Sequence, residues 1–377
     1  MRPISKEIPI KTEADKLRGS ELAKRQYVRF AFYKIDMAWY RLDPNIQREQ
    51  KLEFHKIITT FNRRILLRPY TLVGSRSDTD FLLWQIAQSP IPFQELATAI
   101  RNSSLGAYLQ MTHSYFSQTK RSIYEIRGLG AGEEENGEER LVIEPSEAKY
   151  AFVYPFIKTR EWYQLSKYAR QGMMDEHITI GRKYPSIRLN TTYSFGIDDY
   201  EFIVAFETDE PSDFLDLVQE LRESTVSLYT LKDTPLFSCT NLTLSEVLDS
   251  IGGPIITEEI EKYAPPRSWE DVCALTEFEN KSVHTCFYDG KMVAVFQVKG
   301  EFYAINNRCS HARGPLSEGK INETECSVEC PWHYGKFDLA TGNAIDGVVN
   351  KSVARYEVRI LDGIVQIKSP ESHEEKS

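Results

Sequence analysis

The chain repeats itself. Residues 27–42 (YVRFAFYKIDMAWYRL) and 150–165 (YAFVYPFIKTREWYQL) lie 123 positions apart. Both open with aromatic-rich alternation and close on Trp-Tyr-x-Leu, at Trp39, Tyr40 and Leu42 and again at Trp162, Tyr163 and Leu165. Residues 81–108 match residues 202–229 without a gap at a spacing of 121, which pairs Pro90 with Pro211, Phe93 with Phe214, Leu96 with Leu217, Arg101 with Arg222 and Tyr108 with Tyr229. A slip of only two residues over so long a unit means that residues 27–237 are two copies of one supersecondary unit. Each copy predicts a strand, a polar helix (near 45–60 and 166–180), a strand (68–74 and 188–196), a further strand (81–87 and 202–208) and an amphipathic helix. That last helix carries Phe93, Leu96 and Ile100, or Phe214, Leu217 and Leu221, at helical spacing. Strands with helices covering one face describe an α+β sandwich, ferredoxin-like in outline. Two such units joined edge to edge hide strand edges that would otherwise stay unpaired.

Residues 128–140 (GLGAGEEENGEER) are acidic, glycine-rich and without period, the composition of a flexible linker between halves 27–127 and 141–237. Residues 1–26 precede the repeat as an extension with no apolar segment of the signal-peptide kind. No apolar run approaches the roughly 20 residues that a membrane helix needs, so the expectation is a soluble cytoplasmic chain without a membrane span. A net charge of −9 argues against nucleic acid as a partner, because a phosphate backbone asks for a basic surface.

Beyond the repeat, residues 238–270 predict a helical connector, with helices near 244–251 and 257–263, ending at Pro265-Pro266. Residues 271–369 change to short alternating strands at 292–298, 301–305, 354–360 and 364–369, punctuated by Asp289-Gly290, Lys299-Gly300 and Asp362-Gly363: a small all-β module. Residues 370–377, a charged tail containing His373, predict disorder. Within the module lies Cys309-x-His311, then 18 residues, then Cys330-x-x-His333. In a Rieske [2Fe-2S] centre one iron takes two thiolates and the other two imidazoles, so two loops must each supply one Cys and one His. Zinc modules group Cys with Cys and His with His, and the single residue between Cys309 and His311 fits them poorly. The strings CSHARGPLSEG and CPWHYGKFDLATGNA strongly resemble Rieske ferredoxins and the Rieske domains of ring-hydroxylating oxygenases. High-potential Rieske proteins add a cysteine pair that this chain lacks: 312–316 holds no cysteine and Trp332 occupies the second position. The resemblance thus implies the lower-potential branch, with Cys326 unpartnered and His311 and His333 titrating with the cluster's oxidation state. The other cysteines read as buried small apolar residues, and His55, His113 and His284 receive no role.

His177 sits in the second copy's polar helix beside Met173 and Met174. Residue type alone favours a core histidine over an axial haem ligand facing an apolar pocket, and His55 holds nearly the same place in the first copy. Residues 27–237 resemble the chlorite dismutase superfamily, which includes the coproheme decarboxylases; the resemblance is carried by YPFIKTREWY (154–163), MMDEHITIGRKYP (173–185), YSFGIDDYEF (193–202) and DTPLF (233–237). It implies that His177 is the proximal haem ligand, that Tyr154 is the radical-forming residue near a propionate, and that Lys158 binds that propionate. It also implies a homo-oligomeric ring, commonly a pentamer. Two departures stand out. Leu189 falls where chlorite dismutases place a distal arginine, with neighbouring Arg188 on the other face of the strand. Thr225 falls where the superfamily has a glutamate behind the proximal histidine, with Glu223 close by; a carboxylate there would make the imidazole more basic.

A fused electron carrier points to electrons moving between the two parts. The expectation is therefore a haem-related oxidoreductase that takes a porphyrin, haem b or coproheme, and a small redox donor or acceptor protein. Oxidative decarboxylation of coproheme is its most concrete form. A haem-dependent peroxidase or oxygen-reducing enzyme, and a Rieske carrier on a haem-free scaffold, are the alternatives.

Overall fold

A computed structural model describes residues 25–124, 141–143, 145–263, 269–279, 281–288, 291–311, 314–346 and 348–368, without the side chains of 261–263. The proposed linker 128–140, the tail 370–377, most of the extension 1–26, Pro265-Pro266 and Asp289-Gly290 lie outside the described residues.

The chain divides into two compact units: residues up to Phe30 with Ile86–Pro90 and Ser114–Cys239, and Ala31–Gln85 with Ile91–His113 and Thr240–Ser377. Among the described residues, the strands of the repeat region are β1 (Tyr27–Ile35), β2 (Leu66–Thr71), β3 (Phe81–Ala87), β4 (Leu109–Gln118), β5 (Tyr150–Lys158), β6 (Arg188–Tyr193), β7 (Phe202–Thr208) and β8 (Thr230–Lys232), followed by β9 (Phe237–Asn241), which runs into the start of the segment read as a helical connector. The ferredoxin-like α+β reading holds, with helices Pro44–Thr60 and Lys167–Gly181, and Ile91–Asn102 and Pro211–Glu223, where periodicity places them. Periodicity misses β4, because LQMTHSYFSQ alternates polar and apolar residues without a clear buried face.

In the first unit β7 pairs antiparallel with both β6 and β5, and β5 pairs on with β8. Phe152, Val204 and Phe206 of this sheet pack against Phe214 and Leu217 of the helix Pro211–Glu223, with Ile180 from the helix Lys167–Gly181 at the margin. Phe152 and Phe214 stack at 4.0 Å between ring centres.

In the second unit the helix Pro44–Thr60 starts on Asp43, whose side chain accepts from the Asn45 N–H, and buries Phe54 and Ile58. Lys51 of this helix is fully buried, paired with Asp249 at 3.4 Å and donating to the Pro254 carbonyl at 2.7 Å. That contact ties it to the helix Leu244–Ser250, which begins with a Thr243/Glu246 capping box. The all-β module supplies the rest of this unit. Its six-stranded sheet runs β10 (Glu270–Ala274), β19 (Ile364–Lys368), β18 (Arg355–Leu361), β13 (Glu301–Asn306), β12 (Lys291–Val298), β11 (Val283–Tyr288). Its four-stranded sheet runs β14 (Lys320–Asn322), β15 (Ser327–Glu329), β16 (Lys336–Asp338), β17 (Ala344–Asp346).

Candidate functional site

Strand register gathers one set of residues. β5 against β7 sets Tyr154 opposite Val204 and Phe156 opposite Phe202, while β6 against β7 sets Leu189 opposite Phe206. Directly opposed residues share a face, and every second residue returns to it. Tyr154, Phe156 and Leu189 therefore face the side that the helix Pro211–Glu223 covers; a register shift between Ile157 and Lys158 breaks the alternation before Lys158, whose ammonium reaches the Phe156 ring. Arg188, opposite Glu207, faces away. Tyr154 is half-buried and stacks on Phe206 at 5.9 Å between ring centres. Burial, then the charge of Asp233, pushes its phenol well above the ordinary range, with Arg222 opposing.

Lys158 is buried, and its Nζ donates to the Val226 carbonyl at 3.2 Å. The ammonium also stands over two rings, Trp162 at 4.7 Å and Phe156 at 4.9 Å from the centres. Among the described residues it has no carboxylate partner. Glu201, which favours its charge from a distance, is engaged elsewhere: Oε2 accepts from the Lys158 backbone N–H at 2.8 Å and from the Tyr163 hydroxyl at 2.6 Å. Burial outweighs Glu201 and brings the ammonium down to about 8.

His177 is half-buried on the helix that Ser166 caps, and its Nδ1 is shut off from solvent without a hydrogen-bond partner. Burial first, then the positive charge of Lys158, lowers the imidazole to about 4, with Glu176 opposing. The ring is thus neutral at physiological pH, the state that a metal ligand needs. Thr225 makes no bond to it; its backbone N–H donates to Glu176 Oε2 at 3.3 Å. Leu189 remains 49% exposed on this face.

The second site lies in the all-β module, on two loops. Cys309 and Cys330 are buried at 2% and 1% exposure, while the His311 and His333 rings meet edge to face at 4.7 Å nearer the surface. Backbone bonds fix each loop: the Cys309 N–H donates to the Gly314 carbonyl at 3.0 Å and the Cys330 N–H to the Gly335 carbonyl at 2.8 Å. A hydrogen bond with Cys309, and backbone N–H groups of Trp332 and His333, pull the Cys330 thiol down to about 6 against its burial. A Cβ on Gly314 would come within 2.7 Å of Cys330 Sγ and 2.8 Å of the Trp332 ring, so only glycine fits there.

Residues 47–242 match the chlorite dismutase family, and residues 268–368 match the Rieske-like [2Fe-2S] domain. The chain belongs to the chlorite dismutase family. It is 30% identical over 221 residues to the coproheme decarboxylase of Staphylococcus carnosus, covering 54% of this chain and 87% of the relative. The module is 37% identical over 92 residues to the ferredoxin component of a naphthalene 1,2-dioxygenase system from Pseudomonas aeruginosa, covering 24% of this chain and 86% of the relative. A solved chlorite dismutase from Candidatus Nitrospira defluvii superposes with a TM-score of 0.55 at 25% identity, over 62% of this chain and 98% of that one.

Both donor sets fit the groups these families use. Two buried thiols beside two more exposed imidazoles suit a Rieske [2Fe-2S] cluster, which Cys309, His311, Cys330 and His333 would hold. A neutral histidine with an unshared Nδ1, a buried ammonium without a counter-ion and an open apolar surface at Leu189 suit an iron porphyrin with acidic side chains. Reading the sequence for chemistry passed over Trp162, Tyr163 and Glu201, which position Lys158. The Trp-Tyr pair recurs at Trp39 and Tyr40, so in the sequence it reads as a signature of the fold.

Proposed function

We propose that this chlorite dismutase family member is a haem-related oxidoreductase that decarboxylates coproheme oxidatively to haem b, with His177 as the iron ligand, in a chain that also carries a Rieske electron-transfer domain. The observation that carries this reading is the Lys158 ammonium: buried, without a carboxylate partner among the described residues, and on the same strand as Tyr154. A buried cation in that state favours an anion, and a propionate supplies one. The porphyrin iron, as part of the substrate, supplies oxidation by peroxide. Tyr154, once it has lost one electron to the peroxide-oxidised substrate and released its phenol proton, would as a phenoxyl radical take a hydrogen atom from the propionate chain that Lys158 holds in reach and so regain its O–H. Each propionate loses carbon dioxide, two electrons and a proton and becomes a vinyl group, while peroxide is reduced to water. Leu189 offers no cation above the iron, so chlorite turnover is not expected.

The fused Rieske domain favours a second reading, a peroxidase or oxygen-reducing activity fed by the cluster, since peroxide-driven decarboxylation needs no reductase. One experiment separates them. The purified chain is titrated optically with coproheme, peroxide is added, and porphyrin carboxylates are followed by mass spectrometry. Stepwise loss of two carboxylates supports decarboxylation; stoichiometric binding without product supports the second reading; absence of binding removes both and leaves a Rieske carrier on a scaffold.

A further inference from the structure

We propose that Cys273, Glu277 and His284 form a binding site for a zinc-class divalent cation in the Rieske-like domain, apart from the cluster loops. One ligand atom from each of the three lies within 4.8 Å of the others. His284 Nε2 stands 3.1 Å from Glu277 Oε2, and His284 Nδ1 is shut off from solvent with no hydrogen-bond partner.

An ordinary His–Glu pair over a half-buried cysteine would leave two features unexplained. The first is the orphaned Nδ1: a buried ring nitrogen without a partner costs free energy that a ligand recovers. The second is a bulge in β10. Its pairing with β19 runs Asp271 to Gln366 and then Cys273 to Val365, skipping Val272. Val365 is fully buried in the core of the six-stranded sheet. Without the extra residue Val272 would stand opposite Val365, and Cys273 would point to the other face. The bulge therefore aims the thiol inward, a use that bulges often have near functional sites.

Placement supports a stapling role. β10 and β11 are the first and last strands in the order β10-β19-β18-β13-β12-β11. Cys273 comes from β10, His284 from β11 and Glu277 from the short turn of helix Leu275–Glu279 between them. A cation here would join the two edge strands that the ladder leaves unpaired. Cys286 lies two residues after His284 on β11, opposite buried Val293, so it faces the same core and flanks the site. Thiolate, imidazole and carboxylate together suit Zn2+, whereas Ca2+ and Mg2+ want oxygen donors throughout.

The test uses the full chain with its iron–sulfur cluster loaded and any affinity tag removed. Zinc is titrated against a chelating indicator for the wild type, Cys273→Ser and His284→Gln. We expect one zinc per chain in the wild type, and affinity at least about a hundredfold weaker in each variant, since loss of an outer-shell partner alone costs about 10–100-fold. The cluster's electron paramagnetic resonance signal should stay unchanged. Zinc retained equally by the variants, or no zinc in the wild type, overturns the site. A Cys273–Cys286 disulfide in unreduced peptide maps overturns it too. If the variants fail to load the cluster, Co2+ added to the wild type decides: a sulfur-to-cobalt charge-transfer band sustains the site and its absence removes it.

Discussion

Lys158 Nζ stands 4.7 Å from the centre of the Trp162 ring, in a buried position where its only hydrogen-bond acceptor among the described residues is the Val226 carbonyl. An aromatic face and a carbonyl replace a water shell poorly, so burial lowers this lysine to about 8. The porphyrin-free protein thus holds a charge it would be more stable without.

That imbalance sets a pH dependence. The folded value, about 8, lies below the unfolded value of 10.5, so between these pH values the unfolded chain binds more protons and stability rises with pH. Below about 8 the penalty is fully present, amounting to up to about 3 kcal/mol. Lys158→Met should therefore raise the melting temperature of the porphyrin-free protein at pH 7, and the gain should shrink as pH rises from 8 toward 10.5. Coproheme affinity should fall in the same variant. Calorimetric melts across pH and an optical titration check both.

Tyr154 stacks on Phe206 through its ring, so Tyr154→Phe keeps the packing and removes only the hydroxyl. Stability should change by less than about 1 kcal/mol. Coproheme should still bind, and carboxylate loss by mass spectrometry should fall to background. Retained decarboxylation in this variant would remove Tyr154 from the chemistry.

Much of this was legible because repetition and spacing are one-dimensional. The offset of the two copies placed the strands and helices of the α+β fold, and the paired Cys–His spacing marked the two loops that carry Cys309, His311, Cys330 and His333. Counterparts of Tyr154 and Lys158 in the first copy are Ala31 and Ile35, both buried apolar residues, so the copies share a scaffold and differ in chemistry. What the pattern hid depends on register and burial. Glu201 reaches Lys158 and Tyr163 only because β7 folds beside β5, and the bulge that turns Cys273 inward has no signature in its own sequence.

His177 carries a second pH effect of the same sign. Its folded value, about 4, lies below 6.5, so the neutral ring adds nothing above 6.5 and costs stability as pH falls from there toward 4. His177→Phe should flatten the acid side of the porphyrin-free stability curve between these values. The same variant should lose the axial-histidine spectrum on haem addition.

Gly314→Ala separates the two redox parts. The new Cβ would press on Cys330 Sγ at 2.7 Å and on the Trp332 ring, and such overpacking costs about 1–3 kcal/mol at the loop that holds the cluster. Cluster content, read by paramagnetic resonance and the iron-to-protein ratio, should drop sharply. Residues 47–242 should be unaffected, because Gly314 lies in the all-β module. Peroxide already accepts the two electrons each propionate releases, so peroxide-driven carboxylate loss should stay within about twofold of wild type, a difference below 0.5 kcal/mol. Turnover driven by dioxygen and a reductant should vanish with the cluster. If both activities survive, the Rieske domain serves some other acceptor; if both fail, electrons from the porphyrin reaction leave through it.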